Sequence, residues 1–140
     1  MALTSQSAAQ DELKATKRTV LIVEDDPGNA ATLELLLQLE DYYQSLCFRS
    51  AEEVLANLDI IQNHHPALFI FDIQLPRLNG LDLYYHLHAI EGLEDIPVII
   101  VTGSLLTEAQ RARLAEPGLT TISKPYDIDD MLDTIRQLIT

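Results

Sequence analysis

The sequence predicts an α/β fold in which a doubly wound parallel sheet of five strands is covered by five helices. Short continuous runs of aliphatic residues, typical of strands buried on both faces, alternate along the chain with segments of helical apolar spacing. This alternation indicates a parallel sheet with helices on both faces. Right-handed crossovers then limit the topology to a doubly wound arrangement.

The leader, the first strand and the first helix open the chain. Residues 1–18 are polar and have no apolar periodicity, so we expect a mostly disordered leader and a folded domain over residues 19–140. The first strand begins at Thr19. Asp26 before Pro27 predicts a helix start, with the aspartate as N-cap and the proline in the first helical position. Helical spacing then follows at Ala30, Leu33, Leu36, Leu37 and Leu39.

The later elements repeat this alternation. Capping boxes at Ser50 and Thr107 open two of the helices, and Pro117 with Gly118 ends the second of them. Further strands are predicted at 44–48, 68–71, 98–101 and 120–123, and further helices at 51–61, at 81–90, from 107 to about 116 and from 128 onward. The natural five-strand order is 2-1-3-4-5, the flavodoxin-like order, in which ligands bind outside the carboxyl ends of the strands.

Composition and charge exclude several classes of function. The chain has 140 residues, and 22 acidic residues against 9 Lys and Arg give a net charge of −13. This charge argues against direct contact with nucleic acid or an anionic membrane, because both are held by basic residues. Cys47 is a single thiol, so an internal disulfide is excluded. The N-terminus lacks the apolar stretch of a signal peptide, and no apolar run reaches membrane-spanning length, so we expect a cytoplasmic location.

Reactive side chains stand where the predicted strands end. The first strand runs into the acidic residues 24–26, and the third ends in Asp72. The fourth and fifth strands end in Thr102 and Lys124. Because the carboxyl ends of parallel strands meet at one edge of the sheet, these side chains are predicted to share one crevice.

The chemistry of this group points to a phosphoryl group and a metal ion. Crowded carboxylates resist ionisation unless a cation lies among them. Oxygen ligands without Cys or His suit Mg²⁺, which also binds phosphate oxygens. Lysine and threonine can bind the other phosphoryl oxygens, and an aspartate held at a metal can attack phosphorus. The residues therefore predict metal-assisted phosphoryl transfer onto Asp72.

In this respect the chain resembles the receiver domain of two-component response regulators, in its stand-alone form. The resemblance covers nearly everything from about Thr19 to the end and depends on motifs in order at the strand ends. These motifs are Glu24-Asp25-Asp26-Pro27, Asp72 followed by Leu75-Pro76 and Gly80, Pro97 to Thr102-Gly103, and Ser123-Lys124-Pro125-Tyr126.

The resemblance implies a role for each acidic residue. Asp72 is similar to the aspartate that accepts the phosphoryl group. Asp25 would hold Mg²⁺ directly and Glu24 through water, as in the acidic pair of the family. Gln74 would offer the metal its backbone carbonyl.

The remaining roles concern the phosphoryl group. Thr102 would hydrogen-bond it, and Lys124 would pair first with Asp72 and then with the phosphoryl. The family commonly has a cis peptide bond after this lysine, so Lys124-Pro125 is a candidate. Gly103 is small and would leave the phosphoryl open to a partner or to water. One position departs from the pattern: the family often has Tyr or Phe three residues before the lysine, where this chain has Thr121.

These residues favour a signalling switch rather than an enzyme. The phosphoryl donor would be a histidine kinase or a histidine phosphotransfer protein. With no attached effector domain expected, output would pass to an unidentified protein through the face of the last two helices and the fifth strand. The alternatives are a receiver-like adaptor that works without phosphorylation, for which Thr121 leaves room, and a phosphatase on a similar fold. The phosphatase is disfavoured because Gln74 stands where a second aspartate is needed.

Overall fold

A computed structural model describes residues 17–103 and 105–139, which form one five-stranded parallel sheet in the order β2-β1-β3-β4-β5. The strands are β1 (Arg18–Val23), β2 (Tyr43–Phe48), β3 (Leu68–Asp72), β4 (Val98–Thr102) and β5 (Thr120–Ser123). The helices are α1 (Pro27–Gln38), α2 (Ala51–Ala56), α3 (Leu58–His64), α4 (Gly80–His88), α5 (Glu108–Leu114) and α6 (Ile128–Ile139). The predicted fold class and strand order are confirmed.

The side chains of the central strands divide the core into two layers. Alternate residues of a strand point to opposite faces, so Val20 and Ile22 of β1 pack with α1 and α6, whereas Leu21 and Val23 pack with the helices from α2 to α4. Strands β3 and β4 are buried throughout, while the edge strands β2 and β5 are only partly buried. Burial on both faces explains the continuous aliphatic runs of the central strands.

Helix caps lie at the predicted positions. The Asp26 carboxylate accepts a hydrogen bond from the Asn29 amide at 2.8 Å, and Ser50 accepts one from the Glu53 amide at 3.1 Å. Thr107 forms a reciprocal capping box with Gln110. These caps satisfy first-turn amides of α1, α2 and α5 that have no partner within the helix.

The prediction of five helices is wrong in one place, because six are present among the described residues. The segment predicted as one helix over 51–61 divides at Asn57, whose φ of −126° and ψ of 31° are not helical. The Asn57 side chain donates a hydrogen bond to the Glu53 carbonyl at 2.7 Å, which ends α2 before α3 begins. The apolar spacing continues across the break, so periodicity could not reveal it.

The boundary of the folded domain differs slightly from its predicted position. Strand β1 begins at Arg18, one residue before the predicted start, and its amide donates to the Tyr42 carbonyl at 2.8 Å. Residues 1–16 of the predicted leader lie outside the described residues, so its expected disorder stays a prediction. No helix within the described ranges is both long and apolar enough to cross a membrane.

Candidate functional site

The carboxyl edge of the sheet brings together residues that are far apart in the sequence. Glu24 follows β1 and is 2% exposed, while Asp72 ends β3 and is 7% exposed. Asp25, beside Glu24, is exposed. Carboxylate oxygens of these three residues all lie within 4.8 Å of one another. The predicted acidic cluster is therefore present in the fold, and two of its three members are buried.

Lys124 joins this cluster from the end of β5. Its Nζ atom donates to Asp72 Oδ2 at 2.6 Å and to Glu24 Oε1 at 3.2 Å. One ammonium thus bridges two buried carboxylates, although the sequence predicted only the pairing with Asp72. With three carboxylates and one ammonium, the fully ionised cluster has a formal charge of −2.

The buried charges shift one another's titration. Burial and the adjacent Asp72 carboxyl raise the pKa of Glu24 from 4.5 to about 7, against the opposing effect of Lys124. Burial alone would raise the pKa of Asp72, but the protonated Glu24 and the Lys124 ammonium outweigh it and lower that pKa. Burial lowers the pKa of Lys124, and the hydrogen bond to Asp72 more than compensates, so that pKa is raised. Below about pH 7 the metal-free site therefore favours a neutral Glu24 beside an ion pair of Asp72 and Lys124.

The fit of these residues to Mg²⁺ can be judged from the donor atoms. All three side chains offer carboxylate oxygens, which are the ligands that a hard divalent ion prefers. Glu24 Oε2 is buried and accepts no hydrogen bond from the described residues. A buried carboxylate oxygen without a partner is costly, and an ion or a metal-bound water would satisfy it. The donor set and this orphaned oxygen fit the ion.

Gln74 contacts the site through its backbone. Its amide donates to Asp72 Oδ1 at 2.8 Å, so the two carboxylate oxygens of Asp72 have different partners. The Gln74 side chain is exposed and donates to the Leu105 carbonyl at 3.3 Å. This side-chain contact was missed from the sequence, because nothing in the local pattern relates residues 31 positions apart.

Thr102 lies at the end of β4 but makes no hydrogen bond to Asp72 among the described contacts. Thr102 is 3% exposed, and its hydroxyl points toward β5. There it donates to the Ile122 carbonyl at 3.5 Å and to Ser123 Oγ at 3.4 Å, both long distances. Thr102 therefore lies at the same edge of the sheet as Asp72, and its hydroxyl binds the neighbouring strand β5. Ser123 is a further hydroxyl here that sequence reasoning did not select.

An open cleft of about 460 Å³ adjoins the cluster. The Lys124–Pro125 peptide bond on its wall is cis, as the resemblance implies. Gly103 also lines it, and a Cβ at that position would lie 3.9 Å from the Gln74 side chain, the one contact within 4 Å among the described residues apart from its chain neighbours. Thr121, the position without the usual aromatic ring, is exposed on β5. The remaining lining residues are Asn29, Thr32, Lys124, Tyr126 and Ile128.

The 2-1-3-4-5 sheet and a lysine-bridged acidic cluster at its carboxyl edge define the class of receiver domains. The family model for the response regulator receiver domain matches residues 20–136, so the chain belongs to that family. It is therefore a receiver domain of two-component signalling.

The relatives agree in length as well as in sequence. The polar-differentiation response regulator DivK of Brucella ovis is 33% identical over 123 residues, which cover 87% of this chain and 96% of the relative. A receiver domain of a signal transduction histidine kinase from Syntrophus aciditrophicus has a TM-score of 0.75 at 29% identity, covering 87% and 89% of the two chains. A CheY-like receiver domain protein from Methanospirillum hungatei has a TM-score of 0.75 at 27% identity, covering 88% and 94%.

Proposed function

We propose that this domain is a phosphorylatable switch in which Asp72 accepts a phosphoryl group from a phosphohistidine. The donor is a histidine kinase or a histidine phosphotransfer protein. The observation that carries the proposal is the contact of Lys124 Nζ with Asp72 Oδ2 at 2.6 Å, inside a cluster of three carboxylates. An ammonium fixed on the acceptor oxygen can also bind the oxygens of the group that arrives there.

Four groups would hold Mg²⁺ in this proposal. They are the carboxylates of Glu24, Asp25 and Asp72 and the backbone carbonyl of Gln74, with Glu24 acting through water. When bound, the ion supplies positive charge that offsets the −2 cluster and the incoming phosphoryl oxygens. The orphaned Glu24 Oε2 supports this assignment, because it is the one buried side-chain oxygen or nitrogen of the described residues without a hydrogen bond.

The transfer itself moves one phosphoryl group between two nucleophiles. A carboxylate oxygen of Asp72 forms a bond to phosphorus while the bond from phosphorus to the histidine nitrogen breaks, and the electron pair of that bond stays on the imidazole. The low pKa of Asp72 keeps its carboxylate ionised and ready to attack. Lys124 stays beside the new acyl phosphate, and Thr102 turns from β5 to hydrogen-bond it.

The domain passes its state to a protein partner through the face made by α5, β5 and α6. Three acidic residues of α6 are exposed there, Asp129, Asp130 and Asp133, so a partner with basic contacts fits this face. Such a switch has no turnover of its own beyond gaining and losing the phosphoryl group. Hydrolysis of the acyl phosphate by water that enters beside Gly103 resets it.

The test is incubation of the protein with Mg²⁺ and a small acyl phosphate, followed by intact mass measurement. We expect one added phosphoryl group that hydroxylamine removes, and no addition when the metal is chelated or Asp72 is replaced by Asn. Asp26→Asn is the matched control, since Asp26 caps α1 and Asn caps equally well. Absence of labelling in the wild type, or full labelling of Asp72→Asn, would contradict the proposal. Steady turnover of phosphate esters would instead indicate a phosphatase.

A further inference from the structure

The net charge of this chain opposes the approach of a phosphoryl donor. A transferable phosphoryl group carries about two negative charges near neutral pH, whereas the chain has a net charge of −13. The cation inside the site, Lys124, is already shared by Asp72 and Glu24. Positive charge at the rim of the site would offset the repulsion before the donor makes contact.

Two exposed arginines lie at this rim, one on each side of the acidic residues. Arg49 directly follows β2, and Arg77 lies in the loop between β3 and α4. Because the strand order is β2-β1-β3, the end of β1, with Glu24 and Asp25, lies between them. We call Arg49 and Arg77 the flanking arginines.

The backbone of Arg49 is fixed close to the site. The carbonyl of the preceding residue, Phe48, accepts a hydrogen bond from the Glu24 amide at 3.1 Å. The Arg49 amide donates to Glu53 Oε2 at 2.7 Å, at the start of α2. Arg49 therefore stands one residue away from a direct backbone contact with the acidic cluster.

The loop that carries Arg77 is fixed at both ends. Ile73 and Leu75 are buried, and Gly80 packs so closely that a Cβ there would lie 2.3 Å from the Asp72 carbonyl oxygen. Arg77 is three residues from Gly80, so their Cα atoms are at most about 11 Å apart. This distance is close to the Debye length of about 10 Å at 0.1 M ionic strength, so the charge of Arg77 acts on the site.

The backbone of Arg77 adopts an unfavourable conformation. Its φ is 68°, in the left-handed region, where a Cβ meets the neighbouring carbonyl oxygen. Glycine or asparagine would occupy this region at lower cost. A strained residue at the edge of a reactive site points to a use for its side chain.

The flanking arginines also have free charges. Among the described residues, neither guanidinium forms a hydrogen bond or an ion pair. Arg113 and Arg136, by contrast, pair with carboxylates. An unpaired exposed cation keeps its full attraction for an anion that arrives from solution.

We propose that the flanking arginines draw the doubly charged phosphoryl group of the donor into the acidic site by long-range attraction. This inference rests on the proposed function. The two arginines touch no reacting atom, so they increase the rate at which donor and site meet and leave the transfer step as it is.

The initial rate of labelling by a small acyl phosphate tests the inference, at saturating Mg²⁺ and subsaturating donor. At an ionic strength of about 0.05 M we expect Arg77→Asn and Arg49→Gln each to be labelled about two-fold more slowly than wild type, and the double variant about four-fold. Coulomb's law gives this factor for one charge acting on a doubly charged anion at about 10 Å in water. Asparagine suits the left-handed backbone, so Arg77→Asn changes the charge without straining the loop.

Two variants serve as controls. Arg77→Lys keeps the charge and is labelled at the wild-type rate. Lys17→Gln makes the same change in net charge at the opposite edge of the sheet, seven residues before Glu24 and therefore about 20 Å away, and stays near the wild-type rate. At roughly 1 M salt the Debye length falls to about 3 Å, and we expect all the rates to converge.

Two results would overturn the inference while the proposed function stands. One is a labelled wild type with equal rates in Arg77→Asn, Arg49→Gln and Lys17→Gln at low salt. The other is a deficit in the arginine variants that persists unchanged at 1 M salt, which long-range attraction does not produce. If the wild type takes up no phosphoryl group, the proposed function fails and this inference fails with it.

Discussion

The two groups of charged side chains in this domain have opposite relations to water. At the carboxyl edge of the sheet, Glu24 and Asp72 are buried and share one lysine. At the surface, Asp82 of α4 and Arg113 of α5 form an ion pair at 2.8 Å, and each side chain is 37% exposed. Burial strengthens the electrostatic interactions among the charges of the first group. Solvent screens the interaction between the two charges of the second group. The difference separates a buried group whose titrations affect one another from a surface pair that solvent screens.

The largest expected effect comes from removing the cation of the buried group. Lys124→Met leaves two buried carboxylates without their shared partner, and we expect a loss of roughly 3 kcal/mol in the free energy of unfolding at pH 8. The loss is smaller at pH 5, where Glu24 is protonated. Urea unfolding of the metal-free protein at both pH values measures this effect. Equal losses at the two pH values would contradict the electrostatic explanation.

The buried group was largely predictable from the sequence, and the surface pair of Asp82 and Arg113 was not. Glu24, Asp72, Thr102 and Lys124 each follow a predicted strand, and a parallel sheet must bring strand ends to one edge. Nothing of that kind relates Asp82 to a residue of α5, because the contact depends on how two helices lie on the sheet surface. The contact of Lys124 with Glu24 was not predicted, because strand order places both residues at one edge without deciding which side chains touch.

The break at Asn57 shows a different limit. Hydrophobic spacing reports which face of a segment is buried, and that face is continuous across α2 and α3. The break depends on the Asn57 side chain, which donates a hydrogen bond to a backbone carbonyl. Asparagine makes this interaction in some helices and not in others. Side-chain competition of this sort has no periodic signature.

The pH dependence of stability is the next sharpest test of the buried group. The pKa of Glu24 is raised from 4.5 to about 7, so between these values the unfolded chain releases a proton that the fold retains. Stability of the metal-free protein therefore falls as the pH rises through this window, by roughly 2–3 kcal/mol. Asp72 does not interfere, because its lowered pKa acts at more acidic pH. Glu24→Gln abolishes the decline, and a decline that persists in this variant rules out Glu24 as its source.

Magnesium should reverse part of that loss. At a Mg²⁺ concentration ten times the dissociation constant, we expect about 1.4 kcal/mol of added stability in the wild type. Asp25→Asn removes the response and leaves the metal-free protein nearly unchanged, because Asp25 is exposed. Asp26→Asn keeps the response. Thermal unfolding with and without Mg²⁺ compares the three proteins, and equal responses in the two variants would exclude Asp25 as a ligand.

The smallest effect belongs to the surface pair of Asp82 and Arg113. A double-mutant cycle on Asp82 and Arg113, with Asn and Gln as replacements, should give a coupling free energy of about 0.5 kcal/mol, as solvent-exposed pairs do. Added salt should reduce it further. A coupling as large as the effect of Lys124→Met would remove the distinction between a buried and a solvent-screened group of charges.

The most direct test of the central claim locates the phosphoryl group on the chain. After incubation with Mg²⁺ and a small acyl phosphate, borohydride reduces an aspartyl phosphate to homoserine, and peptide mass analysis finds the altered position. We expect homoserine at position 72 alone. Reduction at position 25 or 26 instead, or labelled protein with an intact Asp72, would contradict the assignment of Asp72 as the phosphoryl acceptor.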